Sequence, residues 1–227
     1  MKRLIVLLAA AMSLCAYPQS WDRFKEDTIS RDLPLIPGWC SKDQADRLMD
    51  LVYEIKPLIS VEIGAFGGSS TYPIAQTLSF LGQGVVYAID AWDNEAVQKG
   101  FEPNHPYLSW WSQIGIDMNY INHYFISLIN QRKLSDYCCP VRRLSEEAAA
   151  LFLDGQIDFL YIDGNCSAEG SLQDVTLYYP KVKKGGYIWL NQADLPTKNK
   201  ATTFLMQRCE WIREESMGVR CLVFKKN

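Results

Sequence analysis

Apolar residues fall in short continuous runs separated by stretches at helical spacing. Ile59, Val61 and Ile63 open the series, followed by VVYAID (Val85 to Asp90), residues 139–144, IDFLYIDG (Ile157 to Gly164) and YIWL (Tyr187 to Leu190). Between them Leu48, Leu51, Val52 and Ile55 recur at steps of three and four, with Ser41 and Gln44 forming a capping box at the start and Pro57 ending the run. A helix is expected from the turn after Ile63 to about Leu81. A single long helix is expected through Trp111, Ile114, Met118, Ile121, Phe125 and Leu128. Further helices should begin at Ser145-Glu146-Glu147, follow Asp163 to about Tyr179, and cover 197–211. Pro180 to Gly186 reads as a turn, and residues 212–226 read as a closing hairpin around Met217-Gly218. Strands that are apolar throughout and alternate with helices predict a doubly wound, Rossmann-like, mostly parallel α/β sheet with a C-terminal antiparallel hairpin.

The first residues stand apart from that pattern. Lys2 and Arg3 precede an apolar run from Leu4 to Ala16, broken by Ser13 and followed by Pro18-Gln19-Ser20. This is the layout of a secretory signal peptide, with cleavage after Cys15 or Ala16, and it is too short to span a bilayer. The expected organisation is a leader over 1–16, a connector over 17–40, and one domain over 41–227 with an aromatic-rich helical insert at about 91–137. Export to the periplasm or medium follows, with no stable membrane span once the leader is removed; an uncleaved leader would instead keep the protein cytoplasmic or tethered. A formal net charge of -3 gives no electrostatic case for nucleic acid. The seven cysteines include no CxxC pair, so a zinc site is not indicated, and the six left after the leader are compatible with disulfides.

The candidate chemistry centres on 60–75, SVEIGAFGGSSTYPIA. A strand runs into a turn with Gly64, Gly67 and Gly68, and Ser69, Ser70 and Thr71 sit where a helix begins. Glycines bring backbone N–H groups against a ligand, and a helix N-terminus adds unpaired donors, which suits a phosphate or a carboxylate. In an open α/β sheet ligands bind beyond the carboxyl ends of the strands, where Asp90, Ser145 and Asp163 also fall. Asp90 lies 26 residues after Gly64, about where an acid meets ribose hydroxyls. Neither GxGxxG nor GK[ST] is present, which argues against a dinucleotide or a P-loop nucleotide. Each feature has a plainer reading: a tight βα turn, helix caps at Asp90, Asp163 and Ser145, and a small buried residue at Cys166.

Taken in order, EIGAFGGSS, YAID, RLSEEAA, IDFLYIDG and KKGGYIWL resemble the class I S-adenosylmethionine-dependent methyltransferases, in the small-molecule O-methyltransferase-like branch, over roughly residues 45–226. The resemblance implies that Glu62, Gly64, Ala65, Gly67 and Gly68 form the cofactor turn and that Ser70 holds the methionine carboxylate. It further implies Asp90 on the ribose, Ser145 on the adenine edge, and Asp163 facing the sulfonium as the catalytic residue. Metal-dependent relatives pair the fourth-strand acid with Asp-Asn after the fifth strand. Gln192 and Ala193 correspond here, with Asp194 close by, so no metal is implied. Cys166 stands where many relatives carry a basic residue, leaving His105 or His123 as possible bases. The implied function is transfer of a methyl group from S-adenosylmethionine to a small-molecule acceptor. A methyltransferase-like binding protein without turnover is the alternative, and a nicotinamide oxidoreductase is a distant third.

Overall fold

The computed structural model describes residues 20–227, so the leader predicted over 1–16 lies outside the described residues. The fold is a seven-stranded sheet in the order β3-β2-β1-β4-β5-β7-β6. Its strands are β1 (Ile59–Ile63), β2 (Val85–Asp90), β3 (Cys138–Arg142), β4 (Ile157–Ile162), β5 (Val182–Leu190), β6 (Cys209–Ser216) and β7 (Arg220–Lys226). The helices are α1 (Trp21–Asp27), α2 (Lys42–Ile55), α3 (Thr71–Leu81), α4 (Pro106–Ile114), α5 (Met118–Gln131), α6 (Ser145–Ala148), α7 (Ala168–Tyr178) and α8 (Asn199–Met206). The strands β3 to β5 run parallel, and β7 is antiparallel to both β5 and β6, giving the predicted mixed Rossmann-like sheet.

The continuous apolar runs have a direct cause, since the central strands are covered on both faces. In β4, Phe159 and Tyr161 point into a core shared with α2, α3 and α5, while Leu160 and Ile162 point into a second core with α7 and α8. The edges are protected differently. Pro140 sits in β3, which pairs only with β2, and the opposite edge β6 carries Glu210, Arg213, Glu214 and Glu215. The chain goes outward from β1 to β3 and then returns to β4. The switch point therefore falls between β1 and β4, and a ligand crevice opens at their carboxyl ends.

Five local expectations need correcting. The long helix breaks in two at Gly115-Ile116-Asp117. Gly115 adopts the left-handed conformation with φ 61°, and Asp117 caps α5 by accepting from Asn119 N at 2.9 Å. The apolar stripe hides the break because Trp111, Met118, Ile121 and Phe125 all face one core. Pro180 to Gly186 is not a turn from end to end: β5 starts at Val182 and absorbs the surplus residues in a bulge opposite Ile157 and Phe159. Residues Cys209 to Trp211 are strand, held by pairing with β7. Ser41 does cap α2 by accepting from Gln44 N at 3.1 Å, but the Gln44 side chain turns inward instead of reaching back. Within the stretch read as connector, residues 21–35 are helical, and Ile29 and Leu33 pack on Ala45 and Met49 of α2. Its buried Asp32 accepts from Tyr72 Oη at 2.6 Å and pairs with Arg132 at 2.8 Å. This anchors the chain so that Pro37 to Cys40 crosses the glycine turn.

Candidate active site

The turn after β1 is built on hydrogen bonds and backbone strain. Gly64 has φ 90° and donates to Ile89 O at 2.8 Å; a Cβ there would fall 2.2 Å from Asp163 O. Phe66 and Trp92 both take positive φ, 47° and 44°, a conformation costing roughly 1–3 kcal/mol each for residues with side chains. Asp90 holds both in place. Its Oδ2 accepts from Phe66 N at 2.9 Å and its Oδ1 from Trp92 N at 2.7 Å, while Trp92 Nε1 donates to Phe66 O at 2.8 Å. Each carboxylate oxygen keeps a lone pair for a further donor. Burial pushes the Asp90 carboxyl up, opposed by these two backbone N–H groups and by Arg142.

Beyond the strand ends lies a cavity of about 600 Å³. Of the predicted residues, Gly64, Ala65, Ser70, Asp90, Ser145 and Asp163 line it together. Glu62, Gly67 and Gly68 do not. Gly67 packs under Pro37, where a Cβ would come 2.3 Å from its carbonyl oxygen, and Gly68 packs against the Phe125 ring. Glu62 is wholly buried beneath the turn and accepts from the hydroxyls of Ser70 and Thr71. Burial pushes Glu62 up to about 8, against those two hydrogen bonds and with added repulsion from Asp163 and Asp90. At neutral pH the carboxyl is therefore protonated. It can donate to one of the two hydroxyls, freeing that hydroxyl's hydrogen to point into the cavity.

Ser145 does not cap α6, because Leu144 occupies that position. Instead its Oγ donates to Asp174 Oδ1 at 2.6 Å, across to α7, and both residues line the cavity. Asp163 is open to the cavity but surrounded by protein. Burial pushes it up to about 6, against the charge of Lys198 and a hydrogen bond from Asn191. Asn191 is the residue after β5 that meets Asp163, one position earlier than the Gln192 and Ala193 that the resemblance implied. Gln192 lines the cavity and accepts from Cys166 Sγ at 3.3 Å, whereas Ala193 is buried.

Sequence reasoning missed the support of this end. Asn191 Oδ1 accepts from Gln44 Nε2 at 2.8 Å, and its carbonyl accepts from Lys198 Nζ at 2.8 Å. Lys198 is only 1% exposed, and it partly neutralises Asp163 and Asp174. The available signal was positional, since Asn191 directly follows a strand at the ligand edge of the sheet. Neither histidine lines the cavity. His105 caps α4 by accepting from Tyr107 N at 3.2 Å, and His123 pairs with Asn119 O on α5. Among the described residues, no three His, Cys, Asp or Glu side chains gather as a metal site requires, all six cysteines are free, and no helix is long and apolar enough to cross a membrane.

A cavity of this size is suited to a small-molecule ligand, and its polar groups converge at two places, Asp90 with Ser145 and Asp163 with Gln192. Comparison with known proteins fits that geometry. The family described as methyltransferase domain matches residues 61–192, from β1 to just past β5. No curated protein matches the sequence. Among solved structures, an O-methyltransferase from Bacillus cereus in complex with S-adenosylhomocysteine is similar at TM-score 0.64 and 14% identity, covering 94% of each chain. The S-adenosylhomocysteine-bound methyltransferase of Podospora anserina gives TM-score 0.61 and 12% identity, over 91% of this chain and 87% of that one. The O-methyltransferase TomG from Streptomyces achromogenes, in complex with S-adenosylmethionine, gives 0.58 and 13%, over 91% and 89%. At these identities the likeness is one of fold, whereas the family match covers more than half of the chain. This chain belongs to the methyltransferase-domain family, enzymes of class I fold that use S-adenosylmethionine.

Proposed function

We propose that the protein methylates a small molecule, with S-adenosylmethionine held between the Gly64 turn, Asp90 and Ser145, and the acceptor held over Asp163. The observation that carries this reading is the single continuous cavity that joins these groups at the switch point of the sheet. Bound there, the cofactor supplies an electrophilic methyl group on a sulfonium.

The chain's own residues have separate tasks. Asp90, already fixed by Phe66 and Trp92, offers its remaining lone pairs to the two vicinal hydroxyls of a ribose. The N–H groups of the turn and the N-terminus of α3 face the carboxylate end, where a hydroxyl freed by protonated Glu62 adds a donor. Asp163, ionised above about pH 6, stabilises positive charge at the reacting end and can take up a proton from the acceptor. Asn191, Gln44 and Lys198 keep that carboxylate aimed. The aromatic residues of α4, with Trp39 and Phe66, exclude water and orient the acceptor, which is the main gain available to a displacement reaction. Export remains part of the proposal, because the basic, apolar N-terminus supports it; mass spectrometry of the native N-terminus that found Met1 intact would contradict cleavage.

Calorimetric titration with S-adenosylmethionine tests the cofactor assignment. Saturable one-site binding below millimolar concentration is the expected result, and a parallel titration with NADH should give no heat. Binding of NADH with none of S-adenosylmethionine would sink the reading.

A further inference from the structure

Resting on that reading of the cavity, we propose that the methyl acceptor is an amine with a flat apolar body, held as a cation beneath the aromatic roof beside Asp163 and Asp194. The roof is a connected set of rings. Trp39 packs on Phe66 with centroids 4.8 Å apart and reaches Trp110 at 6.0 Å; Trp110 meets Tyr107 at 5.7 Å and Trp111 at 6.0 Å. All five rings line the cavity, yet Trp39 and Trp110 remain 56% and 41% exposed. Large aromatic faces are thus left without a protein partner at the mouth. The cavity also has a polar wall, Asp163, Cys166, Gln192 and Asp194, and Asp163 and Cys166 lie near enough to the Tyr107 ring to push its phenol further up. Roof and wall meet at the hairpin turn. Ser41, two residues after Trp39, donates to Met217 O at 3.4 Å, and Asp194 accepts from Arg220 N at 3.2 Å.

The distribution of charge selects the kind of acceptor. Among the described residues, the cations lining the cavity are Lys99 and Arg143, and both belong to the Ser145 side. Lys99 pairs with Glu146 at 3.2 Å, and Arg143 N donates to Asp90 O at 3.0 Å. Lys198 lies behind Asp163 with its Nζ on the Asn191 carbonyl and offsets part of that charge, but it does not reach the cavity. An acceptor bearing a carboxylate or phosphate would meet acids and ring faces on the Asp163 side. A cation finds there the electron-rich faces of tryptophan, the strongest cation–π partners, and two carboxylates.

The chemistry points the same way. A hydroxyl acceptor must lose its proton as it attacks, and Asp163, which holds its own proton only below about pH 6, is a weak base toward a hydroxyl. Burial holds both the Tyr107 phenol and the Cys166 thiol protonated, and the histidines face elsewhere. An amine needs no base in the transition state. A proton passes from the bound ammonium to the Asp163 carboxylate and on to water. The nitrogen lone pair then forms the N–C bond to the methyl group as the C–S bond breaks, and its electron pair leaves on sulfur as S-adenosylhomocysteine.

Three probes sharing one ring separate the possibilities: tyramine as cation, tyrosol as neutral alcohol and 4-hydroxyphenylacetate as anion. The full-length protein is first titrated with S-adenosylhomocysteine; failure to bind overturns the cofactor reading and the inference with it. Each probe is then titrated into the saturated complex. Tyramine is expected to bind roughly tenfold or more tightly than tyrosol, with the acid weakest, and Trp110→Leu should erase that preference while leaving S-adenosylhomocysteine affinity unchanged. Equal affinities, or preference for the acid, would overturn the inference alone. With S-adenosylmethionine present, tyramine carries both candidate atoms. Methyl on nitrogen by tandem mass spectrometry supports the inference, and methyl on the phenol oxygen overturns it.

Discussion

Replacing Glu62 by glutamine probes the foundation of the cofactor turn. Burial raises the Glu62 carboxyl from 4.5 to about 8 in the folded protein. Below pH 4.5 both folded and unfolded chains carry the proton, and the residue's ionisation does not affect stability. Above it the unfolded chain ionises while the folded one stays protonated, so stability falls by about 1.4 kcal/mol per pH unit until the folded group ionises. At pH 7 the accumulated loss is about 3 kcal/mol. Glutamine fills the same space, stays neutral, accepts from one of the two hydroxyls and donates to the other after it rotates. Allowing about 1 kcal/mol for an imperfect amide fit, Glu62→Gln should be about 2 kcal/mol more stable at pH 7. For a domain of this size that raises Tm by about 4–8 °C. Thermal unfolding of both proteins, followed by circular dichroism from pH 4 to 9, is the assay. The wild type should lose ground to the variant as pH rises through the interval from 4.5 to 8, with no further change above it. A difference in Tm that does not vary with pH, or a variant less stable than wild type at pH 8, would refute the reasoning.

Three further outcomes follow from the geometry. Asp90→Asn should weaken S-adenosylhomocysteine binding by about ten- to a hundredfold in calorimetry, because two charge-assisted acceptor contacts are lost. Gly68→Ala should lower stability by more than about 2 kcal/mol in urea titration, since its φ of 95° resists a side chain and the new Cβ would lie 2.7 Å from the Phe125 ring. Once an acceptor is in hand, the wild-type rate should fall as pH drops through about 6, where Asp163 gains its proton. Asp163→Asn should be slower by about a hundredfold and lack that acid limb.

How much of this was readable beforehand depends on the range of the interaction. The strands β1, β2 and β4 were plain because burial on both faces demands unbroken apolar runs, and their carboxyl ends carry Gly64, Asp90 and Asp163. The break before α5 was masked, since two helices facing one core keep a common stripe; Gly115 was the visible clue. Ser145 looked like a cap because a serine ahead of two glutamates is a local signature, but its partner Asp174 comes from 29 residues away. Gln44 similarly bonds Tyr161 Oη at 2.7 Å across 117 positions, and no local pattern encodes that. Lys198, which no sequence pattern singles out, is buried by the fold against the strand-end carbonyl of Asn191. Trp39 reaches the cavity only because the helical N-terminal segment lays its chain over the turn, where Cys40 N donates to Ser69 Oγ at 3.2 Å. The parts fixed by periodicity were therefore legible, and the parts fixed by long-range polar contacts were not.

A crystal structure of the protein grown with S-adenosylhomocysteine tests the central claim most directly. The ligand is expected in the cavity at the switch point, with ribose hydroxyls on Asp90, adenine beside Ser145, and sulfur facing Asp163. A ligand seated elsewhere, or turned so that its ribose does not meet Asp90, would contradict the assignment.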